Sequence, residues 1–217
     1  MAASVQGGGS DRGSKKTWTV TAICFAVVLG AMALDTTVVV VGSDQDLRKQ
    51  AFSPDAYGRT EFPRIQSFVV ERAADAVELS TKLKADKKAA ITEFGTVSGI
   101  FPVFPVKFEG VVGEGKSGIF EIKVDGMPQG AKIRVQSGPA INGTELRDVP
   151  GDIEFGQFTN QIEYQNVGAS INKAMSAAVL VDLDRETLRG KSVSVVGVFK
   201  MINPKNWLVT PVKFDVK

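Results

Sequence analysis

One stretch of the chain is apolar without interruption. Trp18 to Leu34 reads WTVTAICFAVVLGAMAL, carries no charge and is closed by Asp35. Arg12, Lys15 and Lys16 precede it. A helix needs roughly 20 mostly apolar residues to cross a bilayer, because in lipid its backbone amides must pair internally. Thr36, Thr37 and Val38 to Val41 supply the missing length, so residues 18–41 are expected to anchor the chain in a membrane. The basic residues place the N-terminus in the cytoplasm and everything from about Gly42 on the far side. Two other readings compete with a retained anchor. Ala31-Met32-Ala33 has the small-x-small form of a cleavage site. Cys24 is a lipid-attachment candidate, although Thr21-Ala22-Ile23 precedes it and most of the apolar run follows it. All three export the rest of the chain.

Elsewhere apolar positions recur with a period. Residues 1–16, rich in Gly, Ser and charge, read as a disordered cytoplasmic tail, and residues 42–50 as a linker. Residues 51–95 read as helical. Ser53-Pro54 gives a cap followed by proline at the first helical position. Thr60 or Glu61 then opens a longer helix whose stripe is Ile65, Phe68, Val69, Ala73, Ala76, Leu79 and Leu83. Asp86 caps a shorter helix that Gly95 ends.

From Phe101 the period becomes two. Val103 to Gly113 and Ser117 to Asp125 form a hairpin across Glu114-Gly115-Lys116. Ala131 to Gln136 is a third strand. A helix follows, capped by Asn160 with Glu163 and striped by Tyr164, Val167, Ile171, Met175, Ala178 and Val179. Ser192 to Met201 and Trp207 to Val216 are the last strands, with Pro211 marking an edge or a bulge. Three strands, a helix and two strands is the order of an OB-like five-stranded barrel over residues 101–217. The expected class is therefore α+β, mainly β, with a small helical region and an apolar helix ahead of it. An α+β sandwich of the same elements is the second choice. Gly110 suits the bend that lets the first strand serve both halves of a barrel.

Composition narrows the chemistry. The net charge is +2, with no long basic block, so nucleic acid is not an expected partner. The single cysteine is Cys24, so the exported part has no intrachain disulfide. There is no histidine. Ser-His-Asp and Cys-His catalysis, and His- or thiolate-ligated metal, are thereby excluded. We expect no cofactor, no metal and no enzymatic activity. The residual catalytic alternative is a carboxylate-based hydrolase, which needs two acids facing each other across a cleft; Asp182 and Asp184 have no such spacing.

Two stretches crowd polar groups. Gly138 to Asp148 (GPAINGTELRD) contains Asn142, Thr144, Arg147 and Asp148 among turn formers. Arg147 either meets a ligand carboxylate or phosphate or makes a structural ion pair with Asp148. The Asn142-Gly143-Thr144 sequon reads as a turn. Phe155 to Asn166 brings Asn160, Gln161, Glu163 and Asn166 to a helix start beside Phe155, Phe158 and Tyr164. Amides and aromatic faces suit a sugar-like ligand; the alternative is a hydrogen-bond network tying helix to loop. Phe104 and Trp207 read as barrel core, and Lys191, Lys200, Lys205 and Lys213 as solvated.

These same stretches, with GKSVSVVGVF (Gly190 to Phe199) and LVTPVKF (Leu208 to Phe214), resemble a bacterial family of predicted periplasmic lipoproteins of unknown function (domain of unknown function 2291). FTNQIEYQNV is the specific part. The resemblance implies an exported, membrane-attached bacterial protein, held at the inner membrane with its body in the periplasm and often encoded beside sugar ABC-transport components. It carries over no catalytic residue. One departure matters: Leu34 to Gly42 (LDTTVVVVG) stands where the family's lipobox cysteine would fall, so the resemblance extends to export and not to lipid on Cys24. The expected role is a non-enzymatic binding or accessory module for a sugar-like ligand or an ABC-transport component, with a structural envelope protein as the alternative.

Overall fold

The computed structural model describes residues 12–36 and 52–217. The chain divides into an N-terminal unit ending at Ala51 and a body from Phe52 to Lys217. The first contains helix α1 (Arg12–Asp35), whose window Trp18–Asp35 is long and apolar enough to cross a membrane and is exposed along its whole length. At a rise of about 1.5 Å per residue such a helix is roughly 36 Å long. It includes Arg12 to Lys16, inside the stretch read as a tail, because elongating a formed helix costs far less than starting one and no proline stands in the way. The expected continuation through Val41 and the linker 42–50 lie outside the described residues.

The body opens with α2 (Pro54–Arg72), β1 (Ala74–Asp75), α3 (Ala76–Ala85), α4 (Lys87–Phe94) and β2 (Thr96–Val97). Ser53 caps α2 by accepting from the Ala56 N–H. No second helix starts at Thr60 or Glu61: α2 runs through Pro63, held by the buried Phe62, Ile65 and Val69 on either side of it. The expected long stripe is instead cut at Ala73. The cause is tertiary. Ala74 and Asp75 leave the helix to pair in parallel with Val106 and Lys107, covering an edge that would otherwise be unpaired. The Asp75 carboxylate then accepts from the Val77 and Glu78 N–H groups and restarts the helix.

The barrel strands are β3 (Pro102–Lys116), β4 (Ile119–Lys123), β5 (Lys132–Gln136), β6 (Ser192–Lys200) and β7 (Asn206–Val216). The short α5 (Glu145–Asp148) and the long α6 (Gln161–Val179) lie between β5 and β6. The ladders run β3-β4-β5-β7-β6 and return from β6 to β3, so the ring closes. Closure is uneven: Val103 to Val111 of β3 pair with Lys200 to Ser192, whereas the parallel β5–β7 seam spans only Lys132–Asn206 to Val135–Val209. β3 changes partner at Val111, which faces Ser192 on one side and Lys123 on the other. Gly110 stands at this junction because a Cβ there would overlap the Lys123 carbonyl. Pro211 sits beside a register shift, where Val196 pairs with Lys213 and Gly197 with Pro211. The displaced Val212 carbonyl accepts from Gln66 Nε2 of α2 at 2.7 Å.

Two cores result. Inside the ring, Phe104, Phe199 and Trp207 stack, with centroids 5.5 Å and 4.3 Å apart, and Leu79, Leu83 and Ala90 of α3 and α4 join the same cluster. Outside it, α2 and α6 pack on Val103, Val198 and Val212 through Phe62, Ile65, Val69, Val167, Ile171 and Met175. Both faces of β3 and β6 are therefore covered near their joint end.

Candidate functional site

The loop from Gly138 to Gly143 is fixed by buried groups on three sides. Gln136, 1 % exposed, donates to the Asn142 carbonyl and to Thr210 Oγ1 and accepts the Asn142 N–H. Asn172 of α6 donates to the Gly143 carbonyl at 2.9 Å. Arg185 uses Nε on the Ser137 carbonyl, Nη1 on Leu183 and Nη2 on Leu180. The loop therefore has a single shape, set by polar residues that the reading of the sequence left out.

α5 follows and carries an ion network. Asp148, buried, accepts from Arg147 Nε and Nη2 at 2.9 and 2.8 Å through one oxygen. Its other oxygen accepts from Thr144 Oγ1 at 2.6 Å and Lys200 Nζ at 3.1 Å. Lys200 also donates to Thr144 Oγ1. The Arg147 guanidinium lies 3.8 Å from the Tyr164 ring centroid and donates through Nη1 to the Tyr164 carbonyl. Lys200, expected in solvent, is drawn in because the outward face of β6 is covered. The apolar run Val195 to Phe199 signals a strand buried on both faces, and a lysine ending such a run needs an acid. Glu145 stands next to this cluster. Burial pushes its carboxyl above the ordinary range, against the pull of its own N–H and of Lys200.

The amides at the start of α6 divide into two groups. Asn160 Oδ1 accepts the Glu163 N–H at 2.9 Å, and Glu163 Oε2 accepts the Thr159 N–H at 3.0 Å, a reciprocal cap. Gln161 and Asn166 are exposed. Asn166 lines a shallow cleft of about 420 Å³ with Ser53, Asp55, Ser170 and Lys173. There the hydrogen bond from Lys173 holds the Asp55 carboxyl below its usual range. Arg147, Asn160 and Asn166 thus do not share a cleft: the first is sealed under Tyr164, the second caps a helix, and the third faces solvent beside α2. Asn142 is exposed with its backbone held, and Thr144 bridges Asp148 and Lys200. Asp184 accepts from Glu186 N–H and Thr187 Oγ1 in a turn, which lowers its pKa. Among the described residues no group of three or more acidic or cysteine side chains could hold a metal ion.

Two surfaces remain, the first not singled out by the sequence and the second built around the Phe155, Phe158 and Tyr164 that were. The outward face of β4 and β5 presents Ile119, Glu121, Lys123, Lys132 and Arg134, none of them buried. Arg134 pairs in register with Glu121 and donates Nε to Asn206 Oδ1. A cleft of about 390 Å³ along this face is lined by Lys116, Ser117, Ile119, Glu121 and Arg134. The other surface is aromatic. Phe52, Tyr57 and Phe158 contact one another with centroids 5.5 to 5.7 Å apart, and Phe158 and Phe155 each contact Tyr164. Phe155 is 51 % exposed, and Ile162, in the first turn of α6, is 70 % exposed.

A closed five-stranded ring with a helix between its third and fourth strands, preceded in the chain by an apolar helix, defines an OB-fold protein. The chain belongs to the family described as predicted periplasmic lipoproteins (DUF2291), whose model matches residues 22–215. That span takes in part of α1 and nearly the whole body. Among solved structures it is similar to an OB-fold protein from Thermotoga maritima, at 19 % identity and a TM-score of 0.62, over 77 % of this chain and 99 % of that one. No curated protein matches.

Proposed function

We propose that this protein is a non-enzymatic accessory module of the bacterial inner membrane. α1 crosses the membrane once with the N-terminus in the cytoplasm, as Arg12, Lys15 and Lys16 favour. The body stands in the periplasm and binds a transport protein through the outward face of β4 and β5. The observation that carries this reading is the packing of the barrel. Phe104, Phe199 and Trp207 are fully buried in a stacked row, so the ring interior is filled and a partner is met from outside. On the outside, α2 and α6 occupy the β3–β6–β7 side, and OB-folds commonly bind through the strands that correspond here to β4 and β5. That face carries both signs of charge and only a shallow cleft, which suits a protein surface better than a small molecule. Asp148 adds a reason against hydrolysis, since each of its oxygens is engaged and it is 4 % exposed.

The test is photo-crosslinking in intact membranes from the full chain. A crosslinker at position 123 or 132 is expected to give one discrete adduct that is lost with Arg134→Glu, while a crosslinker at Asp182 gives none. Equal labelling from position 182, or an adduct indifferent to Arg134→Glu, removes this face from the proposal. A reporter fused after Lys217 that is active only in the cytoplasm overturns the topology.

A further inference from the structure

We infer that the aromatic surface formed by Phe52, Tyr57, Phe155, Phe158 and Ile162 is a lipid-docking face that rests the body in the headgroup region of the bilayer. The inference uses the anchored reading above and adds to it an orientation of the body.

Three observations support it. The first is connectivity. α1 ends at Asp35 and the body begins at Phe52, whose ring packs against Tyr57 and Phe158. The sixteen intervening residues span at most roughly 55 Å when fully extended. The chain therefore enters the body within this patch, so the patch is the part of the body nearest to the tether along the chain. The second is composition. Phe155 to Ile162 reads FGQFTNQI, eight residues without an ionised side chain on an otherwise charged surface. Aromatic rings and neutral amides are the groups that partition to the boundary between headgroups and acyl chains. The third is packing. Phe52, Tyr57 and Phe158 are half buried against the outer core, whereas Phe155 beside them stays half exposed and Ile162 mostly so.

Electrostatics sets the character of the contact. Of the carboxylates around the patch, Arg64 holds Glu61 and Asp152 and Lys173 holds Asp55, while Glu154 next to Phe155 is exposed. Glu163 is committed to the Thr159 N–H. Among the described residues no basic cluster borders the rings. Docking is thus driven by apolar contact and not by attraction to anionic lipid. A weak intrinsic affinity suffices, because the tether keeps the patch at an effective concentration in the millimolar range or thereabouts.

The experiment uses the full chain in phosphatidylcholine nanodiscs, with Cys24→Ser and a nitroxide label at Ile162→Cys or, for comparison, Lys132→Cys. Both positions are exposed, so neither change disturbs a core. At position 162 collisions with oxygen should dominate and those with a water-soluble nickel chelate should be suppressed; at position 132 the reverse should hold. Adding phosphatidylglycerol or salt should leave the ratio at 162 unchanged, and Phe155→Ser with Phe158→Ser should return it to the value at 132. A chain that fails to enter the disc refutes the anchored reading and this proposal together. A chain held in the disc with position 162 as accessible to nickel as position 132 refutes the docking alone, as does protection at 162 that appears only when membrane proteins are added.

Discussion

Replacing Asp148 by alanine removes the one carboxylate on which Arg147, Thr144 and Lys200 converge. Arg147 is 8 % exposed and gives Asp148 two of its three donor nitrogens. Without Asp148 its charge stays under the Tyr164 ring with a single backbone carbonyl for company, and Lys200 loses a partner at 3.1 Å. Breaking a buried pair from one side costs about 3–5 kcal/mol, because an uncompensated charge remains out of water. For a domain of this size, at roughly 2–4 °C per kcal/mol, the melting point should fall by about 10 °C. Lys200→Met should cost less, about 1–2 kcal/mol, since that side chain is 23 % exposed and water can take over part of its role. Arg147→Met together with Asp148→Leu should recover the part of the loss that comes from Arg147, leaving the smaller cost of the unpaired Lys200. Urea unfolding in detergent, followed by near-ultraviolet dichroism of the buried Trp207, measures all three. A loss below about 1 kcal/mol for Asp148→Ala, or a double variant no better than the single one, would show that the network does not hold α5 in place.

The remaining predictions use the same unfolding assay. Gly58→Ala should destabilise by about 1–3 kcal/mol despite the better helix propensity of alanine, since its Cβ would come 2.5 Å from the Ser170 carbonyl where α2 crosses α6. Asn160→Ala should cost about 1 kcal/mol and Asn160→Ser very little, the signature of a cap; equal losses would point to a ligand role. Glu145→Gln should be more stable than the parent at pH 7. The folded pKa of Glu145 is raised by burial, so ionisation opposes folding. The advantage should shrink as pH falls through that raised value and vanish below the ordinary glutamate range; an advantage that persists at low pH contradicts the assignment. Trp207→Ala, followed by far-ultraviolet dichroism because it removes the aromatic probe, should cost about 3–5 kcal/mol by opening the stacked row inside the ring.

What the sequence discloses follows the range of the forces involved. The OB order of strands, the cap at Asn160, the bend at Gly110 and the bulge at Pro211 are local or periodic signals, and each has its structural counterpart. The break at Ala73 has no local signal. It exists because a strand edge distant in sequence, at Val106 and Lys107, needs a partner. The fate of Arg147 was open for the same reason: an adjacent aspartate is visible in the chain, but Tyr164 above it and Lys200 beside it arrive from other elements. The aromatic surface could have been suspected from FGQFTNQI, whereas the closure of Phe52 and Tyr57 onto Phe158 could not.

Three arginines show how structure separates support from function. Arg185 places all three nitrogens on backbone carbonyls and closes the end of α6 against the Ser137 loop. Arg147 divides its three between Asp148 and Tyr164. Each has three of its five N–H donors engaged within the protein, and neither can be turned outward without stranding a carbonyl or a carboxylate in the interior. Arg134 commits only Nε, to Asn206 at the rim of the barrel, and keeps the rest of its fork toward solvent beside Glu121. Of the polar residues most conspicuous in the chain, Thr144, Arg147, Asp148, Asn160 and Glu163 are engaged within the fold, while Asn142, Gln161 and Asn166 are exposed. Arg134 keeps free N–H groups on β5, where the sequence shows only an ordinary alternating strand. Under the proposed function the search for a partner starts on that face, with Arg134→Glu as its first perturbation.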